Sequence, residues 1–385
     1  MKKILIIFSG EFHIDEGAKH RLNSFINSYV SRDYEVTVLF FFKDHWKYLL
    51  QRGKYLNVQA RWILFPYILP ISKSFFLANI LTWYIELITG LVIFLKSFDI
   101  IQAEIRGCSL KYAHRKQLKI VDFHGDSASE SYFVKKKDWL RDWNYRDQKK
   151  SIELADRCIC VSEKLKKQLE KNTGKDISHW NIISCGVDLE RFNKAKRIEK
   201  KSLSDRIVLG YSGGLQSWQN IRQIIQIVNK LYDLDHRIFF MLYTNHSTDS
   251  IHEDLAKLGK DNYAIYSLSS SEIPSYLKIL DAGFLLRDDL ILNEISSPTK
   301  ICEYLASGVP LICTRYSGDY ERSVKHSSNG FILNDVIPTE RENLNLLTFL
   351  HGVKRDRKKV SELCYDAVKN RTFENEFTTF IKSLS

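Results

Sequence analysis

What most constrains this chain is an alternation. Short apolar runs recur along its whole length, most of them followed by a stretch of helical periodicity. The runs read as strands near 3–8, 35–41, 100–103, 119–123, 158–161 and 181–184, then near 207–211, 237–243, 264–267, 282–286, 309–313 and 330–333. A run that is apolar at nearly every position, not at every second one, buries both of its faces, as strands do in a parallel sheet covered by helices. The pattern predicts an α/β chain of two Rossmann-like domains. Its 385 residues suffice for two separate cores. The polar, aperiodic stretch 194–204 (KAKRIEKKSLS) is the expected linker. The division is then 1–200, 201–370 and a C-terminal helix in 371–385.

Charge is placed unevenly. The formal balance of +11 splits into +12 for residues 1–200, with 35 Lys and Arg against 23 Asp and Glu, and −1 for residues 201–385, with 22 against 23. A field confined to one half implies a local partner. Seven cysteines at irregular spacing give no CxxC pair, no disulfide framework and no zinc pattern. Cys158 and Cys160 fall within an apolar run and are expected to be packing residues in a reducing cytoplasm. The start, 1–8, is basic then apolar, too short for a signal sequence, and reads as a buried strand. The most apolar stretch, 75–95, has the 21 residues needed to cross a bilayer. Glu86 near its middle argues instead for a covering helix, with one face open to lipid headgroups.

The segment 282–314 carries the densest chemistry. Its strand is followed by a polar loop holding Arg287, Asn293 and Glu294, and then by Ser297, Pro298, Thr299 and Lys300. Ser297 reads as the N-cap of a helix, Pro298 as its first residue and Gly308 as its left-handed C-terminal cap. The free N–H groups and dipole of such a helix start attract a phosphate, and Lys300 adds a full charge. Glu303, one turn on, is suited to accept two hydrogen bonds from a ribose diol. Gly213 and Gly214, in the strand–turn–helix sequence 207–220, expose amides to a diphosphate. Gly17, in the first loop, has the same capacity toward a phosphate or sugar. His124, flanked by Asp122 and Asp126, falls at the carboxyl end of a parallel strand, where such folds hold ligands. The stretch 131–150 interleaves Tyr132, Phe133, Trp139, Trp143 and Tyr145 with lysines and arginines. It fits single-stranded nucleic acid, an anionic membrane or a solvated amphipathic helix.

In these pieces the chain resembles the GT-B retaining glycosyltransferases of the family 4 type. The resemblance is carried by VSEKLKKQL at 161–169, ISCGVDLERF at 183–192, the GYSGGL turn at 210–215 and SSPTKICEYLASGVPLI at 296–312. It implies a GT-B architecture, two Rossmann-like domains whose parallel sheets face an interdomain cleft. The first domain would hold an acceptor and the second a nucleotide-sugar, with the last helix crossing back onto the first. Residue by residue, it implies Glu303 as the ribose ligand and Lys300 with the turn at Ser297, Pro298 and Thr299 as the diphosphate cradle. It places Gly17 in the loop near the phosphates and sets His124 toward the donor sugar. No cofactor and no metal is required; the donor would be UDP- or GDP-linked. Two places depart from the pattern. Gly214 and Gln219 stand where an Arg and a Lys usually follow the glycine turn, and Ile295 stands where an acid is expected. Arg287 is expected to supply the missing charge, and Asn293 or Glu294 the missing acid.

The expected reaction moves a sugar from a nucleoside-diphosphate sugar to a hydroxyl of a lipid-linked or membrane-associated saccharide, with retention, in bacterial polysaccharide or glycolipid assembly. Departure of the diphosphate builds charge on its β-phosphate, which Lys300, Arg287 and the helix-start amides stabilise. The basic first half predicts reversible attachment to the inner, cytoplasmic face of the cell membrane, with no nucleic acid as partner. Three readings stay open beside this one. They are a nucleotide-sugar-binding protein without turnover, a sugar 2-epimerase on the same architecture, and a nucleic-acid-binding protein using 131–150.

Overall fold

The computed structural model describes residues 1–10, 17–42, 56–66, 73–104, 106–175, 180–382 and 384. The chain divides into two units, Met1–Ser184 with Glu376–Ser385, and Cys185–Asn375. In the first unit, seven strands form a parallel sheet: β1 (Lys3–Gly10), β2 (Glu35–Phe42), β3 (Arg61–Pro66), β4 (Ile100–Glu104), β5 (Leu118–Phe123), β6 (Arg157–Cys160) and β7 (Trp180–Ile182). Their order is β3-β2-β1-β4-β5-β6-β7. The sequence expects all of these except β3. That strand is a half-buried edge ending in Pro66, which cannot donate to a ladder. Phe377 of the C-terminal helix Phe373–Lys382 rests on Phe25 with ring centres 4.4 Å apart. Arg32 donates to Thr378 Oγ1 (3.1 Å) and Lys2 to the Leu384 carbonyl (3.0 Å).

The second unit carries β8 (Ile207–Ser212), β9 (Ile238–Tyr243), β10 (Tyr263–Tyr266), β11 (Ala282–Leu285), β12 (Leu311–Thr314) and β13 (Gly330–Leu333). They form a parallel sheet in the order β10-β9-β8-β11-β12-β13. One core contains Met241, Leu285, Tyr304 and Val353 and another Leu209, Ile224, Phe284 and Leu350, as expected of a sheet covered on both faces. The helix Ile221–Leu234 shows why such coverage forms: Ile224, Ile225, Val228 and Leu231 recur at helical spacing and are buried together. The chain enters this unit at Cys185, ahead of the charged stretch 194–204 expected as the linker. Val187 pairs with Thr372 and Phe192 is already in the core, so the chain is anchored before that stretch begins.

Both sheets share one topological feature. From β1 and β4 in the first unit, and from β8 and β11 in the second, the strand order runs outward in opposite directions. The carboxyl ends of adjacent strands that diverge in this way open a crevice suited to a ligand.

The apolar helix Phe75–Leu95 buries Ala78, Leu81, Ile85, Thr89 and Val92, while Phe76, Trp83, Leu87, Leu91 and Phe94 are exposed. It is the one helix among the described residues long and apolar enough to cross a membrane. Glu86 is buried and ion-paired to Lys111 and to Lys150, the latter at 3.5 Å. The basic, aromatic stretch forms the helices Ser127–Lys135 and Asp138–Leu154. Trp143 packs with Ala78 and Leu140, and Trp139 meets Phe75 edge-on. The Lys136 ammonium covers the Phe133 ring at 4.8 Å and the Arg141 guanidinium covers Tyr132 at 5.1 Å, so these rings already have partners within the unit. Cys158 and Cys160 are buried free thiols, and burial pushes Cys158 up to about 12.

Candidate active site

In the second unit, β8 leads into Gly213, whose amide donates to the Tyr243 carbonyl (2.9 Å). A Cβ on Gly213 would overlap the Lys300 ammonium, so glycine is what lets that charge lie against the turn. Lys300 belongs to the helix Thr299–Ala306. No side chain caps the first-turn amides of this helix, and Pro298 holds the cap position at φ −69° and ψ 124°. Lys300 Nζ donates to the Tyr211 hydroxyl (3.1 Å) and to Gln219 Oε1 (3.2 Å), 4.6 Å from the centre of the Tyr211 ring. The Tyr211 hydroxyl lies 2.7 Å from the Gly214 carbonyl, which fixes the second half of the glycine turn.

Arg287 follows β11 and is 8 % exposed. Its Nη1 donates to the same Gln219 Oε1 (2.9 Å) and to the Trp218 carbonyl (2.9 Å). Thr314 Oγ1 clamps its backbone, accepting from the Arg287 N–H at 3.0 Å and donating to its carbonyl at 2.7 Å. Two positive groups therefore converge on one neutral amide oxygen. Among the described residues neither has a carboxylate within 4 Å. Burial, reinforced by Arg287, pulls the Lys300 ammonium down to about 7, with Glu303 opposing. Burial lowers the Arg287 guanidinium as well. An anion placed between these groups would oppose both losses.

The remaining residues expected here fall around that pair. Glu303 is half-buried and close enough to favour the charged form of Lys300. Asn293 is buried and its Nδ2 donates to the Asp288 carbonyl (3.0 Å), so it braces the loop, with half-buried Glu294 next to it in the helix Ile291–Glu294. Gly308 has φ +71°, the left-handed conformation expected just past the helix end. The expected cap is corrected. Pro298, not Ser297, occupies the N-cap, and Thr299 is the first helical residue. Ser297 is buried, donating to Asp319 Oδ2 (3.0 Å) and accepting from the Cys185 N–H (3.0 Å). Arg371 donates to that same Asp319 oxygen (2.9 Å). A hydroxyl already held between a carboxylate and an amide does not turn back onto its own helix. Sequence reasoning missed Tyr211 and Tyr304. Tyr304 accepts the Ser212 N–H (2.8 Å) beneath Gly283, where a Cβ would overlap its ring; a glycine inside the strand run was the available signal.

In the first unit, the carboxyl ends of β4 and β5 hold a different arrangement. Arg21, on the helix Gly17–Val30, is 2 % exposed and grips Asp122 through Nε (2.6 Å) and Nη2 (2.7 Å), while Nη1 donates to the Ile183 carbonyl (2.6 Å). Strand pairing sets Glu104 of β4 beside Asp122 of β5. His124 Nε2 lies 2.8 Å from Glu104 Oε2 and 2.8 Å from Asp122 Oδ2. Burial would pull the imidazole down, but Asp122 and Glu104 outweigh it and hold it up at about 9. Burial pushes the Glu104 carboxyl up, with His124 opposing. Asp122 stays well below the carboxylate range, Arg21 and His124 overcoming its burial. The ligand atoms of Glu104, Asp122 and His124 lie within 4.8 Å of one another, a spacing that suits a metal ion. Here Arg21 takes both Asp122 oxygens and the ring faces both acids, so these groups satisfy one another as an ion network. Asp126 caps the next helix, accepting from the Ala128 and Ser129 amides and from Gln148, which anchors the His124 turn. Gly17 is the first residue of its helix, and residues 11–16 of the loop before it lie outside the described residues.

Two families match consecutive parts of the chain. Glycosyltransferase Family 4 covers residues 16–191, and Glycosyl transferases group 1 covers residues 192–344. TuaH of Bacillus subtilis (strain 168), assigned by name to teichuronic acid biosynthesis as a glycosyltransferase, is 24% identical over 168 residues. That match covers 42% of this chain and 41% of the relative, less than half of either. A glycosyltransferase from Rickettsia africae ESF-5 superposes with a TM-score of 0.70 at 16% identity, covering 99% of this chain and 97% of that one. Anabaena Alr3699/HepE, solved in complex with UDP-glucose, superposes with a TM-score of 0.67 at 14% identity, covering 100% and 99%. At these identities the structural likeness is one of fold.

Proposed function

The chain belongs to the GT-B glycosyltransferases of the family 4 type, and from that premise we propose that it transfers a sugar from a nucleoside-diphosphate donor to a hydroxyl of a membrane-associated saccharide. The observation that carries this reading is the convergence of half-buried Lys300 and buried Arg287, neither with a carboxylate partner among the described residues, beside a glycine turn and an uncapped helix start. That combination suits a diphosphate, whose charge grows as the sugar leaves. Preorganised donors aimed at that charge lower the barrier without reorganising during the reaction. Glu303 would read the ribose and Glu294 the sugar hydroxyls, with no metal needed. Transfer would proceed with retention, the acceptor hydroxyl attacking from the leaving-group side and its proton passing to the departing phosphate. The relative's link to teichuronic acid and the bound UDP-glucose of the Anabaena protein support a bacterial surface polysaccharide or glycolipid as product and a UDP- or GDP-sugar as donor.

The acceptor would be lipid-linked and met at the cytoplasmic face of the membrane. The exposed side of the helix Phe75–Leu95 supports this, with Phe76, Trp83, Leu87, Leu91 and Phe94 on one stripe. So does the excess charge of residues 1–200, each cation near an anionic leaflet contributing about 1 kcal/mol. A thermal-shift panel of UDP-, GDP-, ADP- and dTDP-sugars identifies the donor, and radiolabel transfer tests turnover. A shift without turnover would favour the reading as a nucleotide-sugar-binding protein, which the Gln219 departure motivates. Sedimentation with phosphatidylglycerol vesicles tests docking; indifference to both lipid charge and salt would remove the membrane from the proposal.

A further inference from the structure

We propose that Glu104 and Asp122 are positioning residues that hold the His124 ring with Nε2 turned inward, so that Nδ1 is presented as a hydrogen-bond donor to an oxygen of the sugar substrate. This rests on the transferase reading above. Strand register places the two acids side by side on β4 and β5, and both accept at the same ring nitrogen, each at 2.8 Å. Neither acid is free to swing away. Gln102 donates to Glu104 Oε1 (2.6 Å) and is itself held by the Tyr29 hydroxyl (2.7 Å), while Arg21 takes both oxygens of Asp122. On the other side of the ring, Nδ1 is buried and has no hydrogen-bond partner among the described residues. Buried polar atoms without partners are rare, and at a strand's carboxyl end such an atom points to a ligand.

The charges around the ring decide what Nδ1 offers. Two acceptors at Nε2 fix a proton there, so a neutral ring would present Nδ1 as a bare acceptor. Glu104 from β4 and Asp122 from β5 favour a second proton, and Glu130 from the helix Ser127–Lys135 interacts with the ring in the same sense. Arg21, from the helix Gly17–Val30, is the opposing cation, and its charge is matched by Asp122. The balance leaves the ring protonated at both nitrogens through neutral pH, and Nδ1 donates.

The test is Glu104→Gln, which keeps an acceptor at Nε2 and removes one charge. Ring nitrogen shifts read by NMR should show His124 titrating at least one pH unit lower than in wild type. Turnover uses whichever of UDP-, GDP-, ADP- or dTDP-glucose gives the largest thermal shift. The variant's kcat should be within about twofold of wild type at pH 6 and about threefold or more below it at pH 8.5, with donor KM little changed. Glu104→Ala should lose activity at both pH values, which separates charge from mere occupancy. A His124 titration that does not move, or one that moves while the kcat profile stays as in wild type, overturns the proposal. A moved titration in a protein that turns over no nucleotide-sugar supports the positioning of the ring and counts against the transferase reading alone.

Discussion

The two units use one topology and reach opposite electrostatic solutions at the carboxyl ends of their strands. In the first, the cluster at the ends of β4 and β5 is charge-matched: Arg21 and His124 stand against Asp122 and Glu104, each bonded. In the second, the crevice beside β8 holds Lys300 and Arg287 on a neutral glutamine, with Glu303 nearby but no carboxylate in contact among the described residues. A matched set holds its members in place, since removing one strands another in a low dielectric. An unmatched set weakens the fold slightly and is useful only when an anion arrives. The lesson is that burial of charge alone does not mark a binding site; burial of charge without its counter-charge does.

Four experiments test that contrast. The largest effect is expected from Arg21→Ala, which leaves Asp122 buried and unpaired. Urea unfolding should show a loss of about 3–5 kcal/mol, whereas Arg287→Met should be neutral or mildly stabilising. Equal losses would erase the difference between the two sets. Next, Lys300→Ala should lower kcat/KM for the donor about 10²–10³-fold while Tm holds or rises. A matching fall in Tm would make Lys300 a structural group instead.

Third is the pH dependence of donor binding. The Lys300 ammonium sits at about 7, and a bound diphosphate favours its charged form. Binding above that pH therefore takes up a proton, and calorimetry should show affinity flat below about pH 7 and falling about tenfold per unit above it. Lys300→Met should abolish that slope. The smallest effect is that of Ser297→Ala, about 1 kcal/mol of stability through its lost bonds to Asp319 and Cys185. Donor affinity should be unchanged, and a drop would return Ser297 to the phosphate turn.

Much of this was legible before any coordinates. The strand runs at 282–286 and 309–313 are apolar without interruption, and β11 and β12 lie there because a central strand has nowhere to put a polar side chain. The edge strand β3 carries only a short apolar run, Trp62 to Phe65, half-buried and closed by Pro66, and it is easily passed over. Lys300, Arg287 and the glycine turn could be singled out as candidates by residue type and local order. That Gln219 and Tyr211 join them could not be read, because a shared acceptor is a matter of distance and not of spacing along the chain. The polar stretch 194–204 looked like a boundary, yet Val187 and Phe192 had already committed the chain to the second core.

The sequence by itself determined the alternation of elements, hence two parallel sheets, and the residue types able to hold a diphosphate. Periodicity and turn chemistry are local, so they survive in one dimension. Only the tertiary structure decided which charges are answered. Asp122 meets Arg21 across about a hundred residues of chain, while Lys300 has Glu303 near it but no carboxylate in contact among the described residues, and the strength of each charge follows from that pairing and from the low dielectric around it.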